Sequence, residues 1–293
     1  EKYKSILTIF QNFIPIFSYE KSKIIGGKFN DFHSFSNNSI CITIMTKILS
    51  ILIILGIVFS VSAEAANSTS FEMFLFETFW PQTICPTSDR DSSCWLNPCT
   101  NSFTIHGNWP ENSDRSYPEN CGGTSWDENL IMDLYNDLIV NWPDYNSSEG
   151  KDGCNSSFID AKKTHHVDYL WEHEFNKHGT CAIAGDPDVF GDEHDYMSET
   201  LYLLQVLNLE GMMNQAGYTA GDSDLVYDDV MDQLANLYGS KVSLKCQSNE
   251  LFGINACFDL NLNMIDCSDD IISSDYSTCK SHKDAISWPA IVY

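Results

Sequence analysis

Ten cysteines follow an apolar stretch near the N-terminus, and no other feature constrains the fold of this chain as strongly. They are Cys85, Cys94, Cys99, Cys121, Cys154, Cys181, Cys246, Cys257, Cys267 and Cys279, while Cys41 lies upstream of the stretch. Met45-Thr46-Lys47 leads into Ile48 to Val61, almost wholly apolar, and then into Ser62-Ala63-Glu64-Ala65-Ala66. One positive charge, an apolar centre and a small-residue exit describe a secretory signal peptide. Cleavage after Ala63 and after Ala65 both fit. A transmembrane anchor is the rival, but the apolar run falls short of the about 20 residues a span needs. An exported chain matures under oxidising conditions, so an even set of ten cysteines predicts five disulfides. Zinc ligation is disfavoured because no Cys-x-x-Cys pair occurs.

Residues 1–44 precede the natural start, open with Glu and show no clear period, so they read as an untranslated or non-native leader. The expected organisation is leader (1–44), signal peptide (45–63) and one folded domain (64–293). Asn67, Asn146 and Asn155 each open an Asn-x-Ser/Thr acceptor for glycosylation, which suits surface loops. Apolar residues make up 43% of the chain, with 17 Phe, 13 Tyr and 7 Trp, enough for a core and incompatible with wholesale disorder. From Glu64 onward 10 basic residues face 38 acidic ones. That excess argues against a protein that holds DNA by neutralising phosphates. It leaves room for an enzyme handling nucleic acid at a few positive groups.

Phe71 to Trp80 reads as a core strand ending at Pro81, and Phe103 to His106 as a short strand closed by Gly107. Leu130, Ile131, Leu134, Leu138, Ile139 and Trp142 recur at helical spacing, stopped by Pro143. Further helices are predicted over 164–177, ended by Gly179, over 196–209, and over 225–238, ended by Gly239. Strands follow over 241–246, 253–262 and 286–292, with a turn at 261–263. Strand, helices, then strands describes an α+β domain.

Two segments carry the chemistry: Phe103-Thr-Ile-His-Gly-Asn-Trp-Pro110 and Trp171-Glu-His-Glu-Phe-Asn-Lys-His-Gly-Thr-Cys181. At about 100° per residue, His173, Glu174, Lys177 and His178 share one arc of a helix. A solvated polar stripe is the plain alternative. The two histidines are five apart rather than four, which disfavours a zinc peptidase site. Such a set can cleave RNA, because the ribose 2′-hydroxyl is its own nucleophile. One neutral imidazole takes its proton, one imidazolium protonates the leaving oxygen, and fixed cations stabilise the phosphorane. His106 supplies the further histidine, and Trp109 and Tyr117 offer flat surfaces for a splayed base. His165 and His166 read as a solvated helix start.

FTIHGNWP and EHEFNKHGTC closely resemble the two active-site segments of the ribonuclease T2 family. The strand ending in Trp-Pro before a Cys, the Tyr-Pro-x-Asn-Cys after the first segment and the four late cysteines agree with it over residues 71–293. The resemblance implies an α+β fold with a central antiparallel sheet, packed with helices and stapled by disulfides. It implies metal-independent cleavage of single-stranded RNA through 2′,3′-cyclic phosphates with low base specificity. It further implies no cofactor or metal, no cleavage of DNA, no stable membrane association after signal removal, a monomer, and a secreted or endolysosomal location. By resemblance His106 is the general acid, His178 the general base and His173 the phosphate-holding histidine. Glu174 and Lys177 are the transition-state stabilisers, and Trp109 and Tyr117 stack on bases. Spacing alone does not assign acid and base between the histidines. The family pairing implies Cys85–Cys94, Cys99–Cys154, Cys121–Cys181, Cys246–Cys279 and Cys257–Cys267. Three positions depart: Asn108 for the usual Leu, Phe175 for the usual Trp, and Leu170 where an aromatic is common. Asn108 puts a polar group at a packing position, a cost unless it is hydrogen-bonded. A T2-like protein that only binds or is stored is the alternative, and loss of a catalytic histidine would favour it; none is lost.

Overall fold

In the computed structural model the described residues run from Ser70 to Val292, apart from 90–93, 95, 97–98, 147–168, 186–187 and 280–284. The chain divides into Glu1–Glu64 and Ala65–Tyr293, and the described residues belong to the second unit. The leader, the signal segment, Asn67, Cys154, Asn155, His165 and His166 lie outside them.

Strand β1 (Met73–Phe79) is buried at all seven positions. A strand covered on both faces needs apolar side chains in both phases of its alternation, and β1 has them except at Glu77 and Thr78. It is the central strand: β2 (Thr104–Glu111) pairs along one edge and β5 (Glu250–Phe258) along the other, both antiparallel. Strand β4 (Ser243–Gln247) extends the sheet beyond β5, and β6 (Met264–Ile265) returns on β5 as a hairpin. Asp259 builds that hairpin by accepting from the backbone N–H groups of Asn261 and Asn263. A separate pair joins β3 (Leu225–Val226) to β7 (Ala285–Ile286).

Alternation along β1 sorts its side chains. Phe74 and Phe76 enter the main core with Trp142, Trp171, Phe175 and Tyr196. Met73 and Leu75 point the other way, against Cys257, Cys267 and Ile271. Each large ring removed from water contributes on the order of 1.5–3 kcal/mol. Helices α1 (Pro81–Ile84), α2 (Tyr135–Asn141), α3 (Tyr169–Glu174), α4 (Thr180–Gly185), α5 (Glu193–Leu207), α6 (Leu209–Gln215) and α7 (Tyr227–Tyr238) precede β4. Helix α8 (Asp269–Tyr276) follows β6. The expected α+β architecture with an antiparallel sheet is therefore present. Cys85–Cys94, Cys121–Cys181, Cys246–Cys279 and Cys257–Cys267 are bonded as the resemblance implied. The Cys99–Cys154 pairing falls outside the described residues through Cys154.

Several expected boundaries change. Gly107 does not close β2, which runs on through Trp109 and Pro110 to Glu111 because β1 offers partners along its whole length. Gly179 does not end its helix: a π turn (Phe175–Gly179) joins α3 to α4. There Gly179 has a packing role, since a Cβ would press on Phe175 and Tyr196. The 130–142 helix divides into a 3-10 turn (Glu128–Ile131) and α2. The 196–209 helix breaks at Asn208, whose φ of 42° is left-handed and separates α5 from α6. Gly239 does cap α7 as predicted. Helix α8 was not expected; Ser268 caps it by accepting from the Ile271 N–H.

Candidate active site

A bulge in β2 aims His106. Glu77 lies opposite Gly107 and Thr78 opposite Ile105, so His106 has no partner across the strand. Strict alternation would send its ring to the core face with Asn108, which lies opposite Phe76. The extra residue turns it to the face of Glu77 and Trp109 instead, the usual use of a bulge beside a reactive group. Its ring stacks on Phe79 at 4.2 Å and meets Trp109 edge-on at 4.9 Å. Its Nδ1 lies 3.6 Å from Glu77 Oε1. The Trp142 Nε1–H donates to the His106 carbonyl at 2.9 Å, which ties the bulge to the helical layer.

The second segment reaches the same place through the π turn. One residue more per turn rephases the helix, and π turns gather at functional sites for that reason. Glu174 and His178 are buried on the inner side, Lys177 is half-buried and His173 is exposed. The single arc expected from a regular helix is thus resolved into an inner pair and an outer pair. His178 stacks on the Trp109 indole at 5.0 Å and tilts against Tyr117 at 5.9 Å. Trp109 Nε1–H donates to Glu174 Oε2 at 2.6 Å. Gly107 makes this possible, because a Cβ there would overlap both Trp109 Nε1 and Glu174 Oε2. Lys177 Nζ sits 5.6 Å from the Tyr117 ring centre and 3.7 Å from Glu119 Oε2. The Asn120 N–H donates to the Lys177 carbonyl, and Cys121–Cys181 clamps this loop to α4.

Six of the seven residues singled out from the sequence are joined by direct contacts, and His173, exposed on the outer side, reaches His178 through its charge. Trp109 is not a free platform: His106 meets its indole edge-on and His178 stacks on it. Tyr117, 46% exposed, borders a cavity of about 540 Å³ with Asn112, Ser116, Pro118, Glu119 and Asn120. Asn146, an expected glycan acceptor, is exposed.

Electrostatics separate the groups. Burial, then Lys177, His173 and His106, lowers the His178 pKa to about 3. Burial raises the Glu174 pKa to about 7 against the pull of His106, Trp109 and Lys177. Burial would raise Glu77 as well, but His106 and Lys245 outweigh it and hold its pKa at about 2. Sequence reasoning missed Glu77 and Lys245, which bond to each other behind His106. The available signal was Glu77, a carboxylate in the middle of the apolar run FEMFLFETFW, whose other acid, Glu72, lies near its start.

The chain matches the Ribonuclease T2 family over residues 71–267. It is 32% identical to Ribonuclease DdI of Dictyostelium discoideum over 208 residues, 70% of this chain and 82% of that protein. It is 29% identical to Ribonuclease 1 of Arabidopsis thaliana over 230 residues, 75% of this chain and 89% of that one. Its fold resembles the RNase-related protein from Calystegia sepium, with TM-score 0.57 and 27% identity over 75% of this chain and 98% of that one. With two histidine-bearing segments closing on one indole and a family match spanning most of the folded unit, this chain belongs to the ribonuclease T2 family.

Proposed function

We propose that the protein is an endoribonuclease that cleaves single-stranded RNA by acid–base transesterification, forming 2′,3′-cyclic phosphates with low base specificity. The observation that carries this reading is the convergence of His106 and His178 on Trp109, the first edge-on at 4.9 Å and the second stacked at 5.0 Å. Burial lowers the pKa of His178, so its ring is neutral, the state needed to remove the 2′-hydroxyl proton, and relief of that burial when RNA enters would strengthen it as a base. The 2′-oxygen then attacks phosphorus, and the 5′-oxygen leaves with a proton from His106, whose ring faces the Glu77 carboxylate. Lys177 and His173 hold the phosphate oxygens. Glu174, with its pKa raised to about 7, is a neutral acid at pH 5 and donates a hydrogen bond to the phosphorane. Trp109 moves off His178 to admit the phosphate and then stacks on a base together with Tyr117. Proton transfer and fixed charge suffice for this chemistry, so no metal is required.

Export through the 45–63 segment to a secreted or endolysosomal location, glycosylation at Asn67, Asn146 and Asn155, and a monomeric state complete the proposal. The test is turnover of dinucleoside monophosphates in EDTA, followed by phosphorus NMR. The expected product is the 2′,3′-cyclic phosphate, and the 2′-deoxy analogue should be inert. Equal turnover by the wild type and His178→Ala would overturn the assignment. Tight RNA binding without any cyclic phosphate would favour the non-catalytic alternative.

A further inference from the structure

Glu77 is a buried carboxylate beside His106, and the acid–base scheme above does not use it as a reacting group. It occupies a strand position where every neighbour is buried, with a side-chain exposure of 3%. Burying a carboxylate is costly unless charge and hydrogen bonds compensate it. Two groups do so here. Lys245, projecting from β4, bonds Glu77 Oε1, and the same oxygen lies 3.6 Å from His106 Nδ1. The surrounding backbone is pinned. Thr78 N–H donates to Asn255 Oδ1 at 3.3 Å, Thr78 Oγ1 donates to the Ile254 carbonyl at 2.5 Å, and Asn255 Nδ2 donates to Asp275 at 2.8 Å. The register shift that frees His106 from the ladder falls at Glu77 and Thr78. The carboxylate and the bulged histidine thus occupy the same point of the sheet.

We propose that Glu77 is a positioning residue for His106, fixing Nδ1 so that Nε2 faces the substrate with its proton, while Lys245 holds the carboxylate in place. The proposal rests on the reading of His106 as the general acid. A carboxylate behind the second ring nitrogen sets the tautomer of a histidine and favours its charged form. Stacking on Phe79 at 4.2 Å fixes the ring plane but supplies no partner for Nδ1, so it does not select between the nitrogens. The groups facing Glu77 are His106 and Glu111 from β2, Glu174 and His178 from the helical side, Lys245 from β4 and Asp275 from α8. Of these, His106 and Lys245 touch it.

Glu77→Gln keeps the shape and removes the charge. Its kcat should fall by about tenfold to a hundredfold, the range seen for lost supporting partners of a histidine. KM should stay within about twofold, because no substrate contact is removed. Nitrogen NMR of the ring at alkaline pH supplies a readout independent of catalysis. The wild type should carry the proton on Nδ1, and Glu77→Gln should shift it to Nε2 because the amide can donate to Nδ1. The double variant Glu77→Gln/Lys245→Met guards against misfolding from an orphaned ammonium, and it should match the single variant in kcat and tautomer. Unchanged kcat and tautomer in these folded variants would overturn the proposal. His106→Ala measured in parallel separates the two levels. If that variant stays active, the acid assignment fails, while the tautomer still reports whether Glu77 orients the ring.

Discussion

Both sides of the site place a histidine by inserting one residue into a regular element, but the two surroundings are opposite. On the strand side a β-bulge turns His106 toward a buried carboxylate, Glu77. On the helix side a π turn carries His178 inward, where Lys177, His173 and His106 add positive charge to the effect of burial. Neither His106 Nδ1 nor His178 Nδ1 has a hydrogen-bond partner among the described residues, but His106 Nδ1 lies 3.6 Å from the Glu77 carboxylate. A carboxylate behind an imidazole favours the protonated ring, and surrounding cations with burial favour the neutral one. The proposed scheme uses this asymmetry by placing the acid on the strand side and the base on the helix side, an allotment that residue spacing could not make.

The largest expected effect comes from breaking each side in turn. His106→Ala and His178→Ala should each lower kcat on a dinucleotide by about a hundredfold to ten-thousandfold, the usual worth of a general acid or base. The comparison sharpens with a uridine 3′-phosphate ester whose leaving group is nitrophenol. That group leaves without protonation, so His106→Ala should recover most of its activity on it and His178→Ala should not. Equal defects of both variants on this ester would remove the distinction between the two sides. Gly107→Ala acts where the sides meet. Its Cβ would overlap Trp109 and Glu174, so the indole must leave its place. Activity should fall by at least about tenfold, since small misplacements of reacting groups are costly. Near-ultraviolet circular dichroism should report the displaced tryptophan, and an unchanged spectrum with full activity would refute this packing role.

The general layout of the site was legible in the sequence because it depends on residue type within short segments. His106, His173, Glu174, Lys177 and His178 are chemically unusual neighbours, and a burial-driven strand such as β1 declares itself by composition alone. What was hidden depends on tertiary partners. A bulge exists only relative to the opposite strand, so nothing within FTIHGNWP announces that His106 escapes the ladder. The π turn was hidden for a related reason. FNKHG has no breaker that a regular helix would reject, and Gly179 imitates a helix end while serving as a contact for Phe175 and Tyr196. Glu77 and Lys245 are 168 positions apart and meet only through the β1–β5–β4 order. Helix α8 was lost because only Ile271, Ile272 and Tyr276 of its eight residues are apolar, too few for a period to emerge.

The carboxyl groups around the two sides predict how stability follows pH. Glu111, Glu174 and Glu193 are each raised by burial from 4.5 to about 7, so the folded chain holds protons there that the unfolded chain releases. Their contribution is full below pH 4.5 and is lost as pH rises through 7. His178, lowered from 6.5 to about 3, has the opposite sign: its contribution is present above 6.5 and is lost as pH falls toward 3. Glu77, lowered to about 2, adds stability above 4.5 that disappears as pH falls through 2. Three carboxyl groups outnumber one imidazole between pH 5 and 7. The melting temperature should therefore be higher near pH 5.5 than near pH 8, then decline below about pH 4. A melting temperature that climbs steadily from pH 5 to pH 8 would contradict this assignment of the buried carboxyl groups.

The smallest effect tests the residue that joins the strand side to the core without touching chemistry. Asn108 is fully buried opposite Phe76, and neither atom of its amide has a hydrogen-bond partner among the described residues. Its backbone carbonyl is well used, accepting from Tyr196 Oη at 2.7 Å. The side chain therefore bears a desolvation cost of about 1–3 kcal/mol that its backbone role does not require. Asn108→Leu keeps the carbonyl, fills the same face with apolar surface and should stabilise the protein by about 1–2 kcal/mol, close to the lower part of that range. For a domain of this size that is a rise of roughly 2–8 °C in melting temperature. The bulge, the Glu77 contact and the Glu174–Trp109 bond all lie on the other face of β2, so kcat should not change. A lower melting temperature in Asn108→Leu would mean that the amide has a partner worth more than the apolar contact. A changed kcat would mean that the two faces of β2 are coupled, and that the separation of strand side from core drawn from its alternation is too simple.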